Sequence, residues 1–142
     1  MKLDQVVQDL VRDEGFRPKA YRDSLGKLTI GIGFLIDPSE PGAEPMPREV
    51  ADLWLRIILT RRAEELNVAV PFWTRLTDRR RSALLNMSFQ LGTGGLLKFR
   101  NMLKSLEMGK YADARREALN SLWAKQTPQR AERIAAMLGP DG

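Results

Sequence analysis

The 142-residue chain contains no histidine and no cysteine. No disulfide framework can therefore form. Zinc held by His or Cys is excluded, and neither a metal nor any other cofactor is expected. A Ser-His-Asp triad, a Cys-His dyad and a histidine general base are excluded as well. If the protein is an enzyme, its proton chemistry falls to Asp, Glu, Lys or Tyr. Long apolar runs are missing too. The longest uncharged stretch that is largely apolar, Leu28 to Ile36, is too short to span a bilayer, so no stable membrane insertion is expected. The amino terminus, Met-Lys-Leu-Asp-Gln with Asp9 close behind, does not read as a secretory signal. The expectation is a protein that is soluble where it is made.

What is present is a globular mixture, 43% apolar and 29% charged, at a length that suits one domain with a core. Lys and Arg number 23 against 18 Asp and Glu, giving a net charge of +5. Such a surface suits a polyanion: nucleic acid, an anionic membrane face or an anionic wall polymer. Residues 97 to 142 hold 9 basic and 5 acidic residues, most of the excess.

Periodicity sets the organisation. Leu3, Val6, Val7, Leu10 and Val11 form a helical stripe over Lys2 to Asp13, stopped by Gly15. Asp23-Ser24-Leu25-Gly26 is a turn cluster, and Leu28-Thr29-Ile30-Gly31-Ile32-Gly33 follows as a strand, so a small hairpin or meander is predicted. Gly31 and Gly33, two apart, are expected on one strand face where backbone must be approached closely. Four prolines lie between 37 and 47, and Pro47 is expected to open the next helix as its first residue. Val50, Leu53, Trp54, Ile57 and Ile58 make a second stripe ending near Leu66. Further helices are predicted from the Thr77-Asp78 cap through Leu91, over 96–106, over 111–123, and from a Thr127-Pro128 cap through Leu138. The sum is an α+β chain: one helix, a small antiparallel sheet, then mostly helices. Helical spacing makes Trp54 and Trp123 core residues. Arg79-Arg80-Arg81 reads as a solvated helix start.

Two carboxylates are the constellation to seek. Glu14 falls at the carboxyl end of the first helix, where unpaired carbonyls and the helix dipole disfavour a negative charge. A general acid needs its proton held in this way. Asp23 sits in the turn, solvated and ionised. Thr29 follows on the return strand, where its hydroxyl could face Asp23. Carboxylates in two different environments with a water-orienting hydroxyl match what glycosidic cleavage requires.

The strings Asp13-Glu14-Gly15, Tyr21-Arg22-Asp23 and Leu28-Thr29-Ile30-Gly31-Ile32-Gly33 resemble the phage T4-type lysozyme family, with its Glu-x8-Asp-x5-Thr signature ungapped. Ala83 to Gln90 is similar to the family's central helix, and Trp123 to Arg133 to its carboxy-terminal block. The resemblance covers the chain except about 37–76. It implies one lysozyme-like domain over 1–142, with a β-rich lobe at about 14–47. A helical lobe at about 48–142 plus the first helix completes it, with a cleft between the lobes. It implies a muramidase that hydrolyses the β-1,4 bond between N-acetylmuramic acid and N-acetylglucosamine in peptidoglycan. Glu14 would be the general acid, and Asp23 and Thr29 would place the water. Leu35, Phe89 and Gln90 would line the saccharide cleft. Arg130 would pair with Glu14, and Gly31 and Gly33 would support the cleft or hinge. The histidine that many relatives carry after Gly33 is Phe34 here. The expected partner is the peptidoglycan glycan strand, met by a monomer made in the host bacterial cytoplasm and released through a separate holin. A lytic transglycosylase is the alternative enzyme. A basic helical nucleic-acid binder is the alternative outside enzymes, disfavoured because the basic residues scatter instead of forming a stripe.

Overall fold

The computed structural model describes residues 3–142. By contacts the chain divides into two compact units, Met1–Ala51 and Asp52–Gly142.

The first unit holds helix α1 (Asp4–Glu14) and strands β1 (Arg17–Arg22), β2 (Leu28–Gly31) and β3 (Phe34–Leu35). The strands form the predicted meander, antiparallel in the order β1-β2-β3. Tyr21 lies opposite Thr29, and Thr29 opposite Leu35. A bulge between Arg17 and Tyr21 shifts the β1 register. Among the described residues of this unit only Thr29 is buried, at 2% exposure. The apolar stripe of α1 is open, with Leu3, Val7, Leu10 and Val11 all exposed.

Helix α2 (Arg48–Ala69) opens one residue later than expected. Pro47 stays outside, its carbonyl accepting from the Val50 and Ala51 amides. The stripe predicted on this helix is also open: Val50, Leu53, Trp54 and Ile57 are exposed, so Trp54 is not a core residue. The helix runs on past Leu66, which is buried.

The second unit continues with a 3-10 turn at Trp73–Arg75 and helices α3 (Asp78–Leu97), α4 (Arg100–Glu107), α5 (Tyr111–Leu119), α6 (Leu122–Gln126) and α7 (Pro128–Leu138). Its core gathers Leu66, Trp73, Leu84, Met87, Trp123 and Ile134 with their neighbours. Helix α7 packs against α3, α5 and α6. Phe99 meets Trp123 edge to face at 5.9 Å. Thr77 caps α3, its hydroxyl accepting from the Arg80 amide. Gly92 breaks α3 as expected, at φ 76°, but the chain re-enters helix at once and carries on to Leu97.

Three expectations need correction here. The helix predicted over 111–123 is two helices. They are separated at Ser121, whose hydroxyl donates to the Ala118 carbonyl and accepts from the Ala124 amide. The Thr127 hydroxyl does not cap α7: it donates back to the Trp123 carbonyl at 3.0 Å and accepts from no amide of the α7 first turn. Arg80 is not solvated: it is 5% exposed and lies 3.4 Å from the centroid of the Tyr111 ring.

Candidate active site

Glu14 is the last residue of α1, and the Gly15 amide closes that helix on the Val11 carbonyl at 2.8 Å. Its side chain is exposed. The carboxyl reaches the backbone at Gly33: a Cβ at that position would stand 2.8 Å from both Cδ and Oε2 of Glu14. Gly31 and Gly33 do not share a strand face as expected. Both take left-handed backbone, at φ 71° and 68°, Gly31 as the last residue of β2 and Gly33 in the turn to β3. Gly31 underlies the Phe34 ring.

Asp23 is half-buried at the head of the β1–β2 hairpin. Its Oδ1 accepts from the amides of Leu25 at 2.9 Å and Lys27 at 2.8 Å. An Asp at the start of a turn commonly locks the loop in this way. Among the described residues Oδ2 has no hydrogen-bond partner. The Thr29 hydroxyl donates to the Lys27 carbonyl at 2.8 Å. Tyr21, not Asp23, is the residue directly opposite Thr29. Tyr21 and Thr29 face one another across the strand pair, and Asp23 and Lys27 close the hairpin just beyond the strand ends.

Lys27 is the residue that sequence reasoning missed. Its amide holds Asp23, and its carbonyl accepts from both the Asp23 amide and the Thr29 hydroxyl. Its ammonium pairs with Glu40 at 3.2 Å. The signal was available in an Asp turn ending at Gly26 one residue before it, although backbone roles leave no mark on residue type. In the loop that follows, the Ser39 hydroxyl and amide hold the Asp37 carboxyl below the usual carboxylate range, with Arg22 adding a smaller effect.

The remaining candidates lie apart from this cluster in sequence. Leu35 is half-buried on β3 and sits under Gly42. Phe89 is 48% exposed, so it is not a core residue. The Gln90 carbonyl oxygen accepts from the Trp123 indole at 2.9 Å, which commits that amide to holding α6. Arg130 forks onto Asn86, at 2.7 and 2.9 Å to its side-chain oxygen. No cluster of metal-ligating side chains occurs among the described residues.

A mostly helical chain with one small three-stranded antiparallel sheet has the architecture of the lysozyme-like α+β proteins. The comparisons agree with that class. The family model described as "Phage lysozyme" matches residues 11–136. "Probable T4-type lysozyme 2" of Dictyostelium discoideum is 29% identical, over 92% of this chain and 92% of its own. The "Pre-baseplate central spike protein Gp5" of Enterobacteria phage T4 is 33% identical over 94% of this chain, which spans 27% of that protein's length. "Peptidoglycan hydrolase gp36" of Pseudomonas phage phiKMV is 29% identical over 94% of this chain, which spans 15% of it. The chain belongs to the phage lysozyme family, and with it to the glycoside hydrolases.

Proposed function

We propose that this chain is a muramidase that hydrolyses the β-1,4 bond between N-acetylmuramic acid and N-acetylglucosamine of peptidoglycan. Glu14 protonates the glycosidic oxygen. Asp23 and Thr29 hold the attacking water, and Asp23 takes its proton as the oxygen bonds to the anomeric carbon. The observation that carries this reading is the state of the Thr29 hydroxyl. Its hydrogen is committed to the Lys27 carbonyl, so only its lone pairs remain for a ligand. A water there can donate one hydrogen to Thr29 and the other to the free oxygen of Asp23, which turns its own lone pair outward. The same reading has the protein act as a monomer on glycan strands, made in a host cytoplasm and released through a separate holin.

Mass spectrometry of digested peptidoglycan tests the reaction. Hydrolysis leaves a reducing muramic acid end. A 1,6-anhydro end would identify a lytic transglycosylase and remove the role given to the water.

Two substitutions test the water site. Asp23→Ala is expected to lower turnover by about 10²–10⁴-fold, the usual worth of a general base. Thr29→Val keeps the shape and loses the acceptor, so a smaller fall of about tenfold is expected. Its stability cost stays at about 1 kcal/mol, because the Lys27 carbonyl keeps the Asp23 amide at 2.9 Å. Full activity in Thr29→Val, measured as clearing of a purified peptidoglycan suspension, would remove Thr29 from the mechanism.

A further inference from the structure

We infer that Gly33 is a positioning residue for the Glu14 carboxyl, which rests against its bare α-carbon. The inference depends on the acid role given to Glu14 above. The three nearest atoms that a Cβ at Gly33 would meet all belong to one side chain: Cδ and Oε2 of Glu14 at 2.8 Å, and Cγ at 3.0 Å. These separations are too short for a real contact, so something must yield. Backbone would yield at high cost. The far end of a glutamate yields at a smaller cost, that of leaving its preferred rotamer. A methyl group at position 33 therefore relieves its clash by moving the reacting carboxyl.

This separates two effects that a glycine substitution usually mixes. Position 33 has φ 68°, so any L-residue there carries backbone strain. Gly109 has φ 71° and nothing within 4 Å of its would-be Cβ. Gly109→Ala thus carries the strain without a neighbour and reports that part alone.

The test compares Gly33→Ala with Gly109→Ala in steady-state kinetics and thermal unfolding. A misplacement of about 1 Å can cost about 10²-fold in rate. Gly33→Ala is expected to lose about that factor in kcat with KM changed less than about twofold, while Gly109→Ala keeps the parent kcat. The second measurement needs no activity. In a Glu14→Ala background the carboxyl is gone, so the fall in Tm caused by Gly33→Ala should shrink to that of Gly109→Ala. If Gly33→Ala alone does not fold, the Glu14→Ala/Gly33→Ala pair must. The inference is overturned by a parent-like kcat in Gly33→Ala, or by a Tm loss that ignores the Glu14 side chain. Activity retained in Glu14→Gln would overturn the acid role instead and leave the stability coupling standing.

Discussion

Glu14→Gln is expected to lower turnover on purified peptidoglycan by about 10³-fold and to abolish lysis of outer-membrane-permeabilised Gram-negative cells. The glutamine amide matches the carboxyl in shape, so it keeps the contact at Gly33 and the end of α1. It lacks the proton that the leaving oxygen must receive. A factor of 10³ is about 4 kcal/mol of barrier, within what a positioned general acid supplies. Because the amide still fills the same space, KM should hold. Stability should rise slightly. Glu14 is the last residue of α1, and a negative charge there opposes the helix dipole, so neutralising it is worth about 0.5 kcal/mol. The combination is diagnostic: an inactive protein that binds its substrate and melts no lower than the parent. Activity within tenfold of the parent would remove Glu14 as the acid.

Much of this site was legible because it is built from local signals. Gly15 stops α1 and so fixes Glu14 at its end. The Asp23-Ser24-Leu25-Gly26 turn and the strand behind it set the hairpin, and the parity of that hairpin sets the face of Thr29. What sequence could not supply were roles borne by backbone. The amide and carbonyl of Lys27 and the bare α-carbon of Gly33 are independent of side-chain chemistry. The helical errors share another cause, competition between neighbouring hydrogen bonds. Thr127 looks like a cap, but its hydroxyl turns back to the Trp123 carbonyl and no amide of the α7 first turn reaches it. Asn120-Ser121 carries neither Gly nor Pro, yet the Ser121 hydroxyl ends one helix and starts the next. Apolar periodicity at Val50, Leu53, Trp54 and Ile57 found the helix correctly but not its covering, because a stripe records a face and not what packs on it.

Replacing Arg80 with Met should lower the stability of the protein by about 3 kcal/mol, the largest loss expected from any surface-reading charge in the chain. Three consecutive arginines in the first turn of a helix oppose its dipole, and sequence offered no local reason for the middle one. The reason lies at the other end of the second unit. Helix α7 stops at Leu138, leaving carbonyls with no partner inside the helix. Arg80 supplies those partners, its Nε donating to the Leu138 carbonyl at 3.2 Å and its Nη2 to the Gly139 carbonyl at 2.6 Å. The cation also meets the negative end of the α7 dipole, and its guanidinium lies on the Tyr111 ring. One side chain thus ties α3, α5 and α7 together. Methionine keeps the aliphatic stem and loses every donor, leaving two acceptors without partners at about 1–3 kcal/mol each, with partial recovery through water. Lysine retains the charge but not the planar fork, so it can serve one carbonyl and should lose about half as much. Denaturant midpoints at constant slope measure both. The order parent, Lys, Met follows only if the forked hydrogen bonds carry the effect; a Met variant within 1 kcal/mol of the parent would return Arg80 to the role of an ordinary solvated cation.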